Sequence, residues 1–280
     1  MKSEVKEQLQ LFLKEDLGDG DHTSISCIPK DAVGRAKLLV KEDAMLAGVE
    51  VAREIFHLVD ENLEVEVYLS DGDVVKKGDI AFHVSGSSRS IVMAERLVLN
   101  LMQRMSAIAT KTNKIVEKIE GTGCKVLDTR KTTPGLRFFE KLAVKIGGGE
   151  NHRFGLFDMI MIKDNHIDYA GGIDNAIART KAYLAEKGKS LKIEVEARNL
   201  DEVKQILEAG PVDRIMLDNF TFKDIQTAVE MIGDKAETEA SGGITDHTVL
   251  DYAKCGVNFV SMGALTHSVY NIDLSLKAVD

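Results

Sequence analysis

The sequence lacks any run of about 18 apolar residues, so it contains no candidate for a membrane-spanning helix. Its N-terminal stretch, MKSEVKEQLQLFLKEDLGDGDHT, alternates charged and apolar residues and has no apolar core of the kind that a secretory signal peptide needs. Cysteine is scarce as well: Cys27, Cys124 and Cys255 lie far apart and show no C-x-x-C spacing. This pattern argues against a disulfide or zinc framework and predicts reduced thiols in a cytoplasmic protein.

Positive charge is in deficit, since 36 lysines and arginines stand against 45 aspartates and glutamates and the formal net charge is −9. An acidic balance disfavours nucleic acid as a partner, because the phosphate backbone repels it. The 280 residues, 44% of them hydrophobic, suffice for one large or two ordinary soluble domains.

The first part of the chain has the pattern of a mixed α/β region. Residues 3–17 and 49–59 repeat apolar positions at helical spacing, and residues 89–120 form a long, glycine-free periodic stretch. Between them, GRAKLLVKEDAMLAG predicts a strand that ends in a turn, and LEVEVYLSDGDVVKKGDIAFHVSG predicts a hairpin with an Asp-Gly turn.

From residue 123 onward, short apolar runs alternate with amphipathic helical stretches. The runs are CKVLDT, MIMIKD, LKIEVEA, RIMLDN, AETEASGG and NFVSMGA. The predicted helices between them are residues 173–186, 200–209, 222–232 and 245–255. Near-continuous apolar strands separated by helices predict a parallel sheet covered by helices.

Each of the six predicted strands is followed by ionisable residues or by glycines. This is the layout of a β/α barrel, in which the loops after the strands build one site. Six units are fewer than the usual eight, so either the barrel is short or the N-terminal part contributes strands. An open doubly wound sheet is the alternative, and it too binds ligands at the carboxyl ends of its strands. No Gly-x-Gly-x-x-Gly motif follows the first strand, which disfavours a dinucleotide-binding fold.

Cations gather in the segments that follow the first two of these strands. The set comprises Arg130, Lys131, Arg137, Lys145, His152, Arg153 and Lys163. An isolated lysine or arginine is usually a solvated surface residue, but Arg130 and Lys131 stand directly at a strand exit. Arginine binds carboxylate or phosphate through a planar pair of hydrogen bonds, and lysine adds a point charge. In an acidic chain, such a cluster predicts a site for a small polyanion.

Two carboxylates within one strand form a second candidate site. Glu194 and Glu196 point to the same face because side chains alternate along a strand, and Asp218 ends the next strand. Inward-facing carboxylates are costly unless a cation pairs with them. Together with Asp218 they suit Mg²⁺, which prefers oxygen ligands and shares them with a substrate phosphate. A buried salt bridge to arginine or lysine is the alternative, above all for Glu194.

Glycine-containing turns follow the last two strands, in SGGITDHT and SMGALTHS. At Ser241, Gly242 and Gly243, backbone N–H groups can approach an oxyanion, and a helix that begins at Thr245 or Asp246 would add its N-terminus. Phosphate binding after the final strands is common in barrels. Glycines that merely form turns would explain one such motif more easily than two in succession.

As a set, these motifs resemble the quinolinate phosphoribosyltransferase family, also called nicotinate-nucleotide pyrophosphorylase (carboxylating). The resemblance extends from EDLGDGDHTS at residues 15–24 to IDLSLKA at residues 272–278. It rests on TRKTTPGLR, GGGENHR, MIKDNH, EVE, LDN, SGGI and GALTHS, in that order. One departure is Ala107, where the family usually has glycine.

The resemblance implies an N-terminal α/β sandwich domain (residues 1–108), an incomplete, about six-stranded α/β barrel (residues 109–268) and a tail (residues 269–280) that packs back on the first domain. It implies a homodimer or hexamer with shared active sites, and no nucleic-acid or membrane partner. The implied enzyme is a pentosyltransferase of NAD biosynthesis. It transfers phosphoribosyl from phosphoribosyl pyrophosphate to quinolinate, yielding nicotinate mononucleotide, CO₂ and pyrophosphate, with Mg²⁺ as cofactor.

Motif by motif, the resemblance also implies a role for each candidate residue. Arg130, His152 and Arg153 would bind the two carboxylates of quinolinate, and Arg96 would reach in from the partner subunit. Two lysines near the pyrophosphate and the reacting centre, and two carboxylates that hold ribose hydroxyls and Mg²⁺, would be catalytic: Lys131, Lys163, Glu196 and Asp218. The other substrate-binding positions, mostly at the 5′-phosphate, would be Thr132, Ser241, Gly242, Gly243, Ser261, Gly263 and His267.

Two alternatives remain open. A paralogue associated with molybdenum transport resembles this family in fold, but it usually differs within the first motif, where Thr133 and Arg137 favour the quinolinate enzyme. A non-catalytic phospho-metabolite binding protein would need only the phosphate site. The presence of Arg130, Lys131, Lys163 and Glu196 together argues against that second alternative.

Overall fold

Residues 2–279 are described by a computed structural model, in which internal contacts divide the chain into two units. Unit 1 runs up to Asn113 and also includes Thr132–Gly148 and the chain from Thr266 onward, whereas unit 2 comprises Lys114–Lys131 and Gly149–Leu265. Among the described residues, no helix is both long enough and apolar enough to cross a membrane.

Helices and strands largely follow the apolar periodicity of the sequence. The helices are α1 Ser3–Leu17, α2 His22–Cys27, α3 Val49–Val59, α4 Ser88–Lys118, α5 Arg137–Ile146, α6 Asp164–Ala170, α7 Ile173–Lys187, α8 Leu200–Glu208, α9 Phe222–Ile232, α10 Val249–Ala253 and α11 Ala264–His267. The strands are β1 Val33–Val40, β2 Ala44–Met45, β3 Glu64–Val67, β4 Val74–Val75, β5 Ile80–Ser87, β6 Lys125–Leu127, β7 Ile160–Ile162, β8 Ile193–Ala197, β9 Arg214–Asp218, β10 Glu237–Ser241, β11 Phe259–Ser261 and β12 Leu274–Val279. The predicted helices at α1, α3 and α9 are confirmed residue for residue, whereas α2, α5, α6 and α11 are not predicted.

Unit 1 is built on a four-stranded antiparallel sheet in the order β12–β1–β5–β3. The C-terminal strand β12 pairs with β1, so the tail of the chain is part of this sheet. Along β1, every second residue is buried at Ala36, Leu38 and Val40, as expected for a sheet with one covered face. The predicted hairpin forms between β3 and β5, while β4 pairs with β2 instead.

The segment 132–148 belongs to unit 1 because a buried ion pair and a close backbone contact attach it to α4. Glu140 of α5 has no exposed surface and accepts hydrogen bonds from Arg104 Nε at 2.9 Å and from the Thr133 backbone N–H at 3.1 Å. A Cβ atom at Gly147 would lie 2.6 Å from the carbonyl oxygen of Ala109. The stretch expected to be barrel over residues 109–268 is therefore interrupted here, since this segment packs within unit 1.

Unit 2 contains six parallel strands in the order β6–β11–β10–β9–β8–β7. From β7 to β11 successive strands are neighbours, and the first strand, β6, lies beside the last, which is the order of a barrel. An open doubly wound sheet is excluded, because its strand order would reverse at a switch point. All six strands lie between Lys125 and Ser261, so the barrel is short and the N-terminal part contributes none of them. The predicted incomplete six-stranded barrel is confirmed.

The strands of unit 2 bury charge as well as apolar side chains. All five residues of Ile193–Ala197 are buried, and Glu194 and Glu239 have no exposed surface. A guanidinium offsets part of this charge, since Arg214 Nη1 lies 2.8 Å from Glu239 Oε2 and the guanidinium carbon lies 4.0 Å from the centre of the Phe259 ring. Removal from water raises the pKa of both carboxyl groups to about 7.

Glu239→Gln tests how this buried charge affects stability. Burial raises the pKa of Glu239 from 4.5 to about 7, so within that window the folded protein binds more protons than the unfolded chain. The free energy of unfolding therefore falls as the pH rises through the window. The glutamine amide does not titrate, so we expect the free energy of unfolding of the variant to fall less steeply with pH. The facing groups Glu194, His152 and Arg214 are unchanged in the variant. Urea unfolding at a series of pH values measures the difference.

Glu208→Gln is the matched control for this experiment, because Glu208 is an exposed carboxylate at the end of α8. It should keep the wild-type dependence of stability on pH. If Glu239→Gln shows that same dependence, the buried carboxyl does not titrate in the window, and the expectation is wrong.

Candidate active site

The carboxyl ends of the six parallel strands lie at one edge of the sheet of unit 2, and most of the predicted residues are found there. Arg130 and Lys131 follow β6, and Lys163 directly follows β7. The remaining strands end with or next to the other predicted residues: Glu196, Asp218, Ser241, Gly242, Gly243, Ser261 and Gly263. The parallel topology thus brings together side chains that are distant in the sequence.

Lys163, Glu196 and Asp218 form one interacting group. The Lys163 ammonium lies 2.7 Å from Glu196 Oε2, and Glu196 is only 6% exposed. Partial burial and the negative charge of Glu196 raise the pKa of Asp218, while Lys163 acts in the opposite direction. Two carboxylates beside one ammonium leave a surplus of negative charge, and carboxylate oxygens are the ligands that Mg²⁺ prefers. The donor set therefore fits a divalent cation.

Arg130 and Arg153 form a positively charged pair. Partial burial and the charge of Arg130 both lower the pKa of Arg153, so the two guanidinium groups are within electrostatic reach of each other. Arg153 Nη1 donates a hydrogen bond of 3.3 Å to the carbonyl oxygen of Met159, which restrains its side chain. Two neighbouring like charges are costly unless an anion joins them, so the pair suits a ligand with more than one carboxylate or phosphate group.

The backbone that carries Arg153 is held next to β6. Leu127 and Glu150 form a parallel bridge. Beyond the bridge, the backbone N–H of His152 donates a hydrogen bond of 2.9 Å to Oδ1 of Asp128, a carboxylate with no exposed surface. Asp128 therefore sets the position from which His152 and Arg153 extend. The predicted strand CKVLDT contains Asp128, but its positioning role was not predicted, because it depends on this non-local contact.

His152 is buried. Its Nδ1 accepts a hydrogen bond of 2.7 Å from the backbone N–H of Arg153, and its Nε2 lies 2.8 Å from Glu194 Oε2 and 3.5 Å from Glu239 Oε2. Both ring nitrogens thus face protein groups, and the direct binding of quinolinate by His152 stays a prediction. Glu239 stands near the end of a predicted strand, but no role for it in the site was predicted from the sequence. Its signal is the alternation in ETEAS, which puts Glu237 and Glu239 on one face just as IEVEA does for its two glutamates.

The glycine turn after β10 packs against Asn219. Gly242 has a left-handed φ of 98°, and a Cβ atom there would collide with the Asn219 side chain. Asn219 has a φ of 57°, the one positive value at a non-glycine among residues 2–279. Its backbone N–H donates to the Ser241 carbonyl at 2.9 Å, and its Nδ2 donates to Asp218 Oδ2 at 2.7 Å. Asn219 therefore connects the carboxylate group to the glycine turn, a role that the LDN motif alone did not reveal.

The helix expected to begin at Thr245 or Asp246 begins at Val249, so this part of the phosphate-site prediction is wrong. A turn precedes it, in which the Thr245 N–H donates to the Thr248 hydroxyl at 3.0 Å and the Thr248 N–H donates to the Thr245 carbonyl at 3.1 Å. Threonine hydroxyls compete in this way with helical hydrogen bonds. The anion site proposed after β10 therefore depends on the glycine turn and not on a helix N-terminus.

Three predicted residues belong to unit 1 and are described within it: Arg96, Thr132 and His267. Arg96 is exposed on α4. The hydroxyl of Thr132 accepts a hydrogen bond of 3.0 Å from Arg137 Nε, and His267 Nδ1 lies 2.6 Å from the Ser268 hydroxyl. Their relation to the strand-end residues of unit 2 stays a prediction.

Comparison with known families gives two matches. The family model "Quinolinate phosphoribosyl transferase, N-terminal domain" matches residues 21–106. The model "Quinolinate phosphoribosyl transferase, C-terminal domain" matches residues 108–277. Together they cover residues 21–277 except residue 107, and thus most of both units.

Individual relatives agree with these matches. The chain is 48% identical to the chloroplastic nicotinate-nucleotide pyrophosphorylase (carboxylating) of Arabidopsis thaliana, over 98% of this chain and 82% of the relative. It is 40% identical to the probable nicotinate-nucleotide pyrophosphorylase (carboxylating) of Bacillus subtilis strain 168, over 98% of this chain and 93% of the relative. The crystal structure of NadC from Streptococcus pyogenes matches with a TM-score of 0.92 at 37% identity, covering 99% of this chain and 98% of that one. The chain belongs to the quinolinate phosphoribosyl transferase family.

Proposed function

We propose that the chain transfers the phosphoribosyl group of phosphoribosyl pyrophosphate to quinolinate with decarboxylation. The products are nicotinate mononucleotide, CO₂ and pyrophosphate, and the reaction is a step of NAD biosynthesis. The observation that carries the proposal is the pair Arg130 and Arg153 at the same barrel edge as the group of Lys163, Glu196 and Asp218. A pair of cations suits a dicarboxylate acceptor, and a pair of carboxylates suits a magnesium-bound polyphosphate donor.

Arg130 and Arg153 are proposed to bind the two carboxylates of quinolinate. A guanidinium binds a carboxylate through two parallel hydrogen bonds, so two arginines define both the plane and the direction of a flat dicarboxylate. This orientation matters because the ring nitrogen must point at C1 of the ribose when the bond forms. The acceptor site is therefore selective for the spacing of two carboxylates on one ring.

Glu196 and Asp218 are the residues proposed to hold Mg²⁺, partly through substrate and water, and to accept hydrogen bonds from the ribose hydroxyls. When bound, the ion neutralises negative charge on the pyrophosphate that leaves. Lys163, which lies 2.7 Å from Glu196, and Lys131 are proposed to place positive charge near the same pyrophosphate and the reacting centre.

The reaction needs no side-chain nucleophile, because the ring nitrogen of quinolinate attacks the ribose itself. As pyrophosphate leaves, positive charge develops at C1 and negative charge on the leaving group. Strand-end carboxylates stabilise the first and lysines the second. Once bonded to C1, the nitrogen is cationic, and it stabilises the electron pair that stays on the neighbouring ring carbon when its carboxylate departs as CO₂. A proton from water then binds that carbon and completes nicotinate mononucleotide.

The backbone of Ser241, Gly242 and Gly243 is proposed to bind the 5′-phosphate, with Ser261 and Gly263 at its border. Left-handed glycines turn successive N–H groups toward one side and form a concave anion site. Strands β10 and β11 pair directly, so the turns that follow them are neighbours.

The remaining proposed contacts concern assembly and the residues of unit 1. A homodimer or hexamer is proposed, in which Arg96 of the partner subunit completes the quinolinate site. The exposed position of Arg96 on α4 supports this. Thr132 and His267 are proposed to contact substrate as well. The cytoplasm is the proposed location, because Cys27, Cys124 and Cys255 are all free thiols.

Neither alternative function is favoured. The relatives of similar length are named as carboxylating nicotinate-nucleotide pyrophosphorylases, which does not support the molybdenum-associated paralogue. A protein that only bound a phospho-metabolite would have no use for the charged group of Lys163, Glu196 and Asp218.

Turnover is the direct test of the proposed function. Purified protein with quinolinate, phosphoribosyl pyrophosphate and Mg²⁺ should release CO₂ and form nicotinate mononucleotide, and chelation of Mg²⁺ should abolish both. Nicotinate in place of quinolinate should release no CO₂, because it lacks the carboxylate that departs. Folded protein that forms no product above background would refute the function.

Arg130→Ala should raise the KM for quinolinate between roughly tenfold and a hundredfold, because a hydrogen bond to a charged group contributes about 1.5–3 kcal/mol. The KM for phosphoribosyl pyrophosphate should change much less. The matched control is Arg179→Ala, an exposed arginine on α7, which should leave both constants unchanged. A near-normal quinolinate KM in Arg130→Ala would remove this residue from the acceptor site.

Arg96→Ala tests the shared active site. Alone it should be inactive, as should Glu196→Gln, but a mixture of the two after subunit exchange should recover activity, because a mixed dimer contains one site with neither change. A mixture of Arg130→Ala and Glu196→Gln is the control and should recover none. Absence of recovery in the first mixture, with exchange verified, would show that Arg96 acts within its own subunit.

A further inference from the structure

Three buried charged residues on the barrel strands have no role in the proposed mechanism: Glu194, Glu239 and Arg214. We propose that they are positioning residues, which hold the imidazole of His152 in one tautomer and, through it, hold the backbone of Arg153 where quinolinate binds. The second part of this role rests on the proposed function. All three residues are buried, with 0%, 0% and 8% of their surface exposed.

The tautomer of His152 follows from its two contacts. Nδ1 lies 2.7 Å from the backbone nitrogen of Arg153, whose N–H can only donate, so Nδ1 carries no proton. The neutral ring then carries its proton on Nε2, which lies 2.8 Å from Glu194 Oε2 and 3.5 Å from Glu239 Oε2. A nitrogen lone pair at these distances would be repelled by carboxylate oxygens, whereas an N–H is attracted. The Arg153 N–H and the two glutamates therefore favour the same tautomer, with the proton on Nε2. Neither oxygen of Glu194 makes a hydrogen bond, so Glu194 acts on Nε2 through the negative charge of its oxygens.

Arg214 holds the carboxylates in place. Its Nη1 lies 2.8 Å from Glu239 Oε2 and its Nη2 lies 3.0 Å from Glu237 Oε2. In the sheet register, Arg214 is the direct partner of Glu194 on one side and of Glu237 on the other. Three adjacent strands, β8, β9 and β10, thus build the group, and the hydrogen-bonded ladder of the barrel determines its geometry.

A metal ion is the competing occupant for these side chains. One ligand atom from each of His152, Glu194 and Glu239 lies within 4.8 Å of the others. The guanidinium of Arg214 argues against a resident cation, because it already pairs with Glu239 and would repel a divalent ion. The group therefore suits an imidazole N–H and not a metal.

These contacts restrain the backbone N–H groups of both His152 and Arg153, next to the proposed quinolinate site. Asp128 accepts the N–H of His152 at 2.9 Å, and the His152 ring accepts the N–H of Arg153 at 2.7 Å. Arg153 thus extends from a segment that is fixed twice through His152. The His152 N–H bonds to Asp128, directly after β6, and the His152 ring lies in the barrel interior beside Glu194. Orienting a flat acceptor requires supporting contacts of this kind around the residues that touch it.

The first experiment needs no substrate. Glu194→Leu removes the oxygen that faces Nε2 at similar volume, and Glu194→Gln retains one. Nitrogen-15 NMR of histidine-labelled protein, with the His152 signals assigned by comparison with His152→Asn, should show the Nε2–H tautomer in the wild type and in Glu194→Gln. Glu194→Leu should show a smaller fraction of that tautomer, because the Arg153 N–H then favours it without the negative charge of a Glu194 oxygen. Retention of the wild-type pattern in folded Glu194→Leu would overturn the proposal.

The second experiment uses turnover. Glu194→Leu should raise the KM for quinolinate by roughly tenfold, the usual size for loss of a residue that supports a ligand contact. The KM for phosphoribosyl pyrophosphate should stay near the wild-type value, and Glu194→Gln should restore the quinolinate KM. Equal increases in both constants would overturn the positioning role. If Glu194→Leu does not fold, Glu194→Met, with a flexible side chain of similar volume, is measured in its place.

Glu202→Leu is the matched control, since Glu202 is another buried carboxylate of unit 2 and pairs with Arg198 at 2.6 Å. It should reduce stability but change neither the His152 spectrum nor the quinolinate KM, and the same outcome for Glu194→Leu would assign Glu194 a purely structural role. The spectrum also separates this proposal from the proposed function. A wild type that does not turn over quinolinate would refute the function, while the tautomer would still be decided by NMR.

Discussion

Burial of carboxylates is the constraint on which both units depend, because a buried charge is stable only with a partner that offsets it. Three of the four buried glutamates that bear on the site have a cationic partner on another element: Glu140 with Arg104, Glu196 with Lys163 and Glu239 with Arg214. The fourth, Glu194, faces the N–H of the neutral His152 imidazole at 2.8 Å. These contacts connect helix α5 to α4, strand β10 to β9, and strand β8 to segments between other elements. They therefore specify how the elements are arranged as well as how the charge is neutralised.

Charge is balanced differently in the barrel interior and at its carboxyl edge. In the interior, Glu239 meets a guanidinium and Glu194 meets an imidazole, and neither is exposed. At the edge, Arg130 and Arg153 leave a surplus of positive charge, whereas Glu196 and Asp218 outnumber Lys163. Under the proposed function, ligands of opposite charge would bind at these two places, a dicarboxylate at the first and Mg²⁺ with pyrophosphate at the second. The proposed reaction joins the dicarboxylate to the ribose of the pyrophosphate donor.

The periodic helices, the six parallel strands and most strand-end residues were predictable, because apolar spacing and turn residues act over a few neighbouring positions. The start of α10 was mispredicted because Thr245 and Thr248 bond to each other locally. The membership of residues 132–148 in unit 1 was not predictable, since it depends on Glu140 meeting Arg104. Arg214 and Glu239 were missed for a similar reason: their partnership follows from strand register, which no local pattern encodes.

The sequence by itself determined the α/β class, the succession of strands and the set of residues at the strand ends, since these depend on local spacing and on motifs read in order. It also placed His152 beside Arg153 and Glu194 two positions before Glu196. Only the tertiary structure decided that His152 turns its Nε2 toward two glutamates inside the barrel and its Nδ1 toward Arg153. The physical reason is that parallel pairing of β8, β9 and β10 brings Glu194, Arg214 and Glu239 together across the sheet, where burial leaves only neighbouring side chains to offset their charges.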